Sequence, residues 1–427
     1  MSRLRNVSPR WSSRRAVTTE ELDLATWPIF TKMSKRGILV SFEKMDALLC
    51  DVQAQMEEQL ALVEIYAERP LNPMSGDDVA AWMTTQKMRG KFTHGGRLST
   101  DERALSQHDH PALNAVLEYR GLKKLESTFI LPTLEIAKKD PYPEMLGGVI
   151  HPKWRLTKVR SGRVASENPN LLAFPSRTEM GKKVRACFVA RPGYRMVSVD
   201  YSQLEPRIAA ALSQDEKLLK VYAEGRDLYT EVGADLGVSR TVAKTLTLGT
   251  FYGMGGMKLF ESLVAAGVVQ GNPPVPLFDL EACEGLLKRW FEVYTGVKRL
   301  VQGTVAKARE CGGWAYTVGG RGRLLPGLFL TGQGWPCGKL REEAERQCFN
   351  HLIQGTGMEM LREAMLRVDS VCPSVHPLLA IHDEMVYEML AKDEAGAQDV
   401  ATLMATEFQG VELKTSYTVG DTWGSLK

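Results

Sequence analysis

The sequence predicts an α+β protein, because two long helix-like stretches precede any strand-like run and further helices lie between the strand-like runs. Long amphipathic helical patterns fill the first third. Strand-like runs come later, and the clearest of them reads as a β-hairpin. A chain of 427 residues is expected to hold two to four domains. With 44% apolar and 25% charged residues it has the composition of an ordinary globular protein, not a disordered or fibrous one. No apolar run approaches the ~18 residues needed to cross a bilayer, so no membrane partner is expected. Seven cysteines without a C-x-x-C pair argue against a disulfide scaffold or a zinc ribbon and for a reducing, cytoplasmic compartment.

Taken in chain order, residues 1–20 form a basic tail with Arg3, Arg5, Arg10, Arg14 and Arg15 and no acid before Glu20. Transit peptides share that composition, but this one lacks apolar periodicity, so a disordered tail is expected and organelle import is disfavoured. From Phe42 to Tyr66 apolar residues recur at three- and four-residue steps (Met45, Leu48, Leu49, Val52, Met56, Leu60, Val63), which predicts one long amphipathic helix ended by Pro70 and Pro73. A second helical segment is expected from about Ala112 to Ala137, broken by Pro132. The run Tyr194–Val199 leads as a strand into Asp200. Leu378–Ile381 leads into His382, Asp383 and Glu384, and Met385–Met389 follows as the return strand. Helices are expected over 239–260 and 341–367. The fragment His108-Asp109-His110 is read as a polar turn at a helix start in preference to a metal site.

Charge is unevenly spread. Between His151 and Arg195 eleven Lys or Arg face only Glu167 and Glu179, while the whole chain is only +3. A cationic stretch in an otherwise acidic chain suggests a polyanion track, the alternative being a solvated basic face.

Two carboxylates carry the chemistry. Asp200 and Asp383, 183 residues apart, each follow an apolar strand, where a cation could bridge them. Hard oxygen ligands of this kind select Mg²⁺, and two such ions can serve an in-line phosphoryl displacement. Taken singly, a strand-ending Asp is more often a turn residue. Arg240, Lys244, Leu248 and Tyr252 are spaced by four, so they share one slowly drifting helix face. Two cations in the first turns of a helix make an anion site of triphosphate size, although helical Arg and Lys are mostly surface charges. Gly249, Gly253, Gly255 and Gly256 are expected to leave a side-chain-free surface that a base could approach.

These residues resemble family A DNA polymerases, the group of bacterial DNA polymerase I. Asp200-Tyr-Ser-Gln-Leu-Glu-Pro-Arg207 is similar to the first catalytic motif. Arg240-x-x-x-Lys244-x-x-x-Leu248-Gly249-x-x-Tyr252-Gly253 is similar to the nucleotide-binding helix, and His382-Asp383-Glu384 to the second catalytic motif. Ser161-Gly162-Arg163, Asn168-Pro-Asn-Leu171, Arg177-Thr-Glu179 with Arg185, Gly319-Gly-Arg-Gly-Arg323 and Arg346-x-x-x-Asn350-x-x-x-Gln354-Gly-Thr356 match as well. The resemblance spans about residues 21–427. It implies a palm–fingers–thumb fold with an antiparallel palm sheet and largely helical thumb and fingers. The implied boundaries are 21–140 for the thumb and N-terminal helices, 141–225 and 346–427 for the two parts of the palm, and 226–345 for the fingers.

The resemblance further implies template-directed addition of deoxynucleotides to a primer 3′ end. Two Mg²⁺ ions would be held by Asp200, Asp383 and the carbonyl of Tyr201, with Glu384 nearby as a further catalytic carboxylate. Arg240 and Lys244 would hold the triphosphate, Lys244 also protonating the leaving pyrophosphate. Gln203, Tyr229 and Leu248 would line the nucleotide, and Tyr252 with Glu205 would close off the ribose 2′ position. Arg163, Asn168, Arg177, Arg185, Arg346, Asn350, Gln354 and His382 would track the primer–template DNA. The residues depart from the family at Thr247, Leu248, Tyr229, Gly357 and Glu359. The short stretch before residue 21 has no room for a proofreading nuclease, so an exonuclease, a helicase or a processivity factor would be separate chains. The alternatives are a single-subunit RNA polymerase, disfavoured by Glu205, and an inactive duplex-binding scaffold, disfavoured by the intact carboxylates.

Overall fold

The computed structural model describes residues 18–426 apart from His94, Arg177 and residues 271–274. Residues 1–17 of the expected basic tail and the expected DNA contact Arg177 therefore lie outside the described residues. The chain divides into two compact units, one made of residues 1–35, 154–165 and 197–419, the other of 36–153, 166–196 and 420–427. No described helix is long and apolar enough to cross a membrane.

The smaller unit is built on the helix Phe42–Ala67, which packs along Pro111–Leu125. Ser41 caps the first helix by accepting the Lys44 amide at 3.4 Å, and Glu68 ends it in the left-handed region. Its apolar stripe is the one expected: Met45, Leu48, Val52, Met56 and Val63 are all buried. Just before it lies the strand Ile38–Ser41, unforeseen because four apolar residues have no telling period. That strand is central in a four-stranded antiparallel sheet, between Gly147–Ile150 and Phe188–Val189. Gly147 is needed there, since a Cβ would come within 2.3 Å of the Val40 carbonyl. Contrary to expectation, Pro132 does not break the second helical segment. A π-turn over Glu126–Ile130 joins Pro111–Leu125 to Leu131–Ala137, with the Leu131 amide reaching the Glu126 carbonyl five residues back. The wider turn falls just ahead of the proline ring, which sits in the first turn of the resumed helix. His110 caps Pro111–Leu125 through its Nδ1, the turn role expected of that fragment.

The larger unit holds a four-stranded sheet in the order His376–Ile381, Glu384–Leu390, Tyr194–Tyr201, Thr415–Gly420. The first two strands form the expected antiparallel hairpin, with Ile381 opposite Glu384 and His382-Asp383 as its two-residue turn. The expected helix over 239–260 is two helices, Arg240–Phe251 and Gly256–Ala265. Ser239 caps the first by accepting the Val242 amide, and Gly253 at φ +67 turns the chain out of it. Trp290, fully buried, packs edge-on to Phe251 and tilted against Tyr294, fixing this helix to Leu280–Val293. The helix Cys337–Val371 packs on the helix Thr295–Glu310 and on the hairpin of strands Trp314–Tyr316 and Gly322–Leu324. All seven cysteines are free thiols.

Candidate active site

Strand Tyr194–Tyr201 is half-exposed at Tyr194 and Arg195, buried from Met196 to Val199, and half-exposed again at Asp200. Its neighbour begins just after the hairpin turn that carries Asp383, also half-exposed. The Tyr201 amide donates to the Asp383 carbonyl at 3.3 Å, so one backbone hydrogen bond joins the two carboxylate-bearing strand ends. Tyr201 is anchored below by its hydroxyl, which donates to the Met404 carbonyl at 2.6 Å. Glu384 is 1% exposed and takes a 2.5 Å hydrogen bond from the Ser198 hydroxyl. Among the described residues no group of three or more His, Cys, Asp or Glu is arranged to hold a metal by itself. Two half-exposed carboxylates with the neighbouring Tyr201 carbonyl are instead an incomplete, all-oxygen donor set. That suits Mg²⁺, which keeps waters and substrate phosphates in its other positions.

Beside the pair sits a second cluster. Arg163 donates to Glu205 at 2.7 Å, and the Tyr252 hydroxyl bonds the same carboxylate. Burial holds the Glu205 carboxyl above its ordinary range and the charge of Asp383 adds to this, while Arg163 and Tyr252 pull the other way. Burial and Glu205 push the Tyr252 phenol up to about 12, so it stays a neutral donor. Gln203, at φ +59 ahead of helix Leu204–Ser213, accepts from the Tyr222 hydroxyl at 3.1 Å.

The cationic row of Arg240–Phe251 is exposed at Arg240 and Lys244 and half-buried at Leu248. Both cations lie over the Tyr229 ring, the Arg240 guanidinium 5.6 Å and the Lys244 ammonium 6.0 Å from its centroid. Arg240 is gripped by Asp227, two nitrogens to two oxygens at 2.9 Å each. That grip holds the Asp227 carboxyl well below its usual range. Asp227 has no part in the site expected from the sequence, although an Asp before an apolar helical run is a capping signal. It does cap Leu228–Leu236, accepting the Thr230 amide at 2.8 Å.

Arg346, Asn350 and Gln354 form a half-exposed line along Cys337–Val371. Arg346 packs on Gly253, where a Cβ would lie 2.6 Å from its own. His382 is exposed at φ +56 on the hairpin turn.

Several expectations need correction. Arg185 is 6% exposed, its guanidinium 4.2 Å from the Trp423 ring centroid and donating to the Phe174 carbonyl at 2.8 Å. Buried within the aromatic core of the smaller unit, it is not available as a DNA contact. Asn168 in the same unit is exposed, as are Lys182 and Lys183. Three of the four glycines near the cationic helix do not leave free surface: Met254 fills the space at Gly249, Arg346 at Gly253 and Glu284 at Gly256. Thr247 is buried and accepts the Trp290 indole N–H at 3.3 Å, a core role. Glu359 is buried too, accepting from Thr19 at 2.7 Å, from the Gly319 amide at 2.9 Å and from Thr317.

Comparison with known proteins shows the family. The profile of DNA polymerase family A matches residues 42–425, and the chain belongs to that family. It is 31% identical to the thermostable DNA polymerase I of Thermus thermophilus over 96% of this chain and 48% of that protein. To the Thermus aquaticus enzyme of the same name it is 30% identical, over 93% of this chain and 47% of the relative. The chain thus spans about half the length of the curated relatives it matches. The solved polymerase domain of Pol1 from M. smegmatis, in complex with DNA primer-template and dNTP, superposes with a TM-score of 0.81 at 26% identity. That match covers 95% of this chain and 70% of the other, and it supports the palm–fingers–thumb architecture.

Proposed function

We propose that the chain is a DNA-directed DNA polymerase that extends a primer 3′ end by two-metal phosphoryl transfer. The observation that carries the reading is the hydrogen bond from the Tyr201 amide to the Asp383 carbonyl, which couples the two strand-ending carboxylates. Mg²⁺, held by Asp200, Asp383 and the Tyr201 carbonyl, would supply Lewis-acid stabilisation of the charge that develops on the transferring phosphate. Arg240 and Lys244, both over the Tyr229 ring, bind the triphosphate. Lys244 delivers a proton to the departing pyrophosphate oxygen. Leu248 and Gln203 orient the sugar and base. Tyr252 and Glu205 close off the 2′ side sterically: Arg163 and Tyr252 hold the half-buried Glu205 carboxylate where a 2′-hydroxyl would need space. Glu384, through Ser198, keeps the hairpin strand in place beside Tyr194–Tyr201.

Arg163, Arg346, Asn350, Gln354 and His382 follow the primer end. Hydrogen-bond acceptors of the minor groove are nearly alike for all base pairs, so such contacts test pairing geometry and not sequence. Asn168 and Arg177 in the smaller unit, and separately the exposed Arg155, Lys158 and Arg160 in the larger, supply phosphate contacts to the duplex. The domain boundaries implied by the resemblance and a cytoplasmic place of action belong to the same proposal. Primer extension by purified protein with Mg²⁺, run with deoxy- and ribonucleotides in parallel, tests the reading. Templated extension with deoxynucleotides alone is expected. Preferential ribonucleotide use would favour an RNA polymerase, and no extension by a folded, duplex-binding protein would favour a scaffold.

A further inference from the structure

Away from the carboxylate pair, the larger unit contains a charged knot that the proposed chemistry does not use. Asp23, on the helix Thr19–Arg36, receives two guanidinium groups from distant parts of the chain. One terminal nitrogen of Arg321 spans both its oxygens at 2.8 Å each, and Arg362 donates to Oδ1. The side chains are 17%, 15% and 2% exposed for Asp23, Arg321 and Arg362. Two guanidinium groups carry more N–H donors than one shared carboxylate can accept, so buried donors are left that need further acceptors.

The acceptors are backbone carbonyls of one turn. The other terminal nitrogen of Arg362 donates to Gly162 at 3.0 Å and to Leu156 at 3.3 Å. The Arg321 side chain lies against Gly162, where a Cβ would come within 2.7 Å of its Nε. Gly162 sits at φ +81, so both its backbone and its missing side chain are required by the knot. The next residue is Arg163, whose guanidinium reaches Glu205 at 2.7 Å.

We propose that Asp23 is a positioning residue: it orients Arg321 and Arg362 so that they clamp the 156–162 turn and aim Arg163 at Glu205 and the primer end. A lone Arg362 could rotate about its long side chain, and the turn would follow it. Arg362 bridges a carboxylate and two carbonyls through its planar fork, which a lysine cannot do. The task assigned to Arg163 rests on the polymerase reading, whereas the linkage to Asp23 rests on geometry alone.

A double-mutant cycle with an exchange measurement separates the two. Asp23→Asn is expected to lower kcat/KM for extension about tenfold in the parent, but less than about twofold in an Arg163→Ala background. Asp23→Glu, which keeps the charge, should recover most of the loss. Equal losses in both backgrounds would mean a merely structural role and overturn the proposal. Independently of activity, hydrogen exchange in segment 156–163 should rise at least about tenfold in Asp23→Asn while helix Arg240–Phe251 stays protected. Unchanged exchange in that segment overturns the proposal even if the protein polymerises. If the parent extends no primer, the polymerase reading falls and exchange alone decides the linkage. Should Asp23→Asn not fold, Arg362→Lys, which retains charge but loses the bridge, is read in the same way.

Discussion

The carboxylate pair and the cationic row face the same proposed substrate, yet they are held by different means. Asp200 and Asp383 leave the chain at the ends of adjoining strands, and their spacing is set by sheet register and by the Tyr201–Asp383 backbone bond. Arg240 and Lys244 are exposed side chains on a helix surface, steadied by the Tyr229 ring and the grip of Asp227. A ligand set for a small hard cation tolerates little displacement, so rigid backbone suits it. A triphosphate is large and flexible, and long side chains can adapt to it. The grip of Asp227 has a second consequence. An internal anion occupies Arg240, so a triphosphate bound as proposed would have to compete for it or share it. The row is therefore pre-oriented but not free.

The sharpest break in this comparison is removal of a backbone-positioned carboxylate. Asp200→Ala or Asp383→Ala should cut primer extension by roughly a thousandfold or more, since several kcal/mol of charge stabilisation is lost. Duplex affinity measured by anisotropy should change little, because phosphate contacts elsewhere dominate it. Residual extension near the parent rate would remove these residues from the metal site. On the row, Lys244→Ala should lower kcat by about 10²–10³, as expected for loss of a proton donor, and Arg240→Ala should mainly raise KM for the nucleotide. Single-turnover kinetics distinguishes the two, and a pure KM effect at Lys244 would remove its proton-transfer role.

A smaller effect is expected at Leu248, the half-buried member of the row. Under the proposed reading Leu248 offers only apolar surface toward the sugar, so the parent should discriminate against dideoxynucleotides. Leu248→Tyr can add one hydrogen bond of about 1 kcal/mol and should relax that discrimination several-fold. Because a packing defect slows both substrates alike, an unchanged deoxy-to-dideoxy ratio of kcat/KM would place Leu248 outside the sugar pocket. The smallest effect concerns Asp227→Asn, which keeps the helix cap and removes the charge. The native Asp227 carboxyl is held below its unfolded value by Arg240, so its contribution is present above the unfolded pKa and fades as pH falls through the lowered folded one. The variant should melt slightly lower than the parent at pH 7, and the two should converge in strong acid. Nucleotide KM should fall, because Arg240 is released; a rise would show that the grip orients more than it competes.

Sequence by itself determined what is written locally. The strand ends at Asp200 and Asp383, the four-residue spacing from Arg240 to Tyr252, the stripe from Met45 to Val63 and the hairpin at His382 all follow from periods of two or of three to four residues. The ordered motifs also gave the family. Tertiary structure alone decided which distant groups meet. That Tyr201 bonds Asp383, that Asp227 occupies Arg240, that Asp23 gathers Arg321 and Arg362, and that Arg185 turns inward beneath Trp423 have no local period to announce them. The same limit hid the π-turn ahead of Pro132 and the filling of Gly249, Gly253 and Gly256 by neighbouring side chains. A charged residue carries the same letter whether it faces water, a phosphate or a buried carboxylate. Its partner is set by chain closure over tens to hundreds of residues and by the cost of leaving a buried charge unpaired, and neither quantity is contained in a short window of sequence.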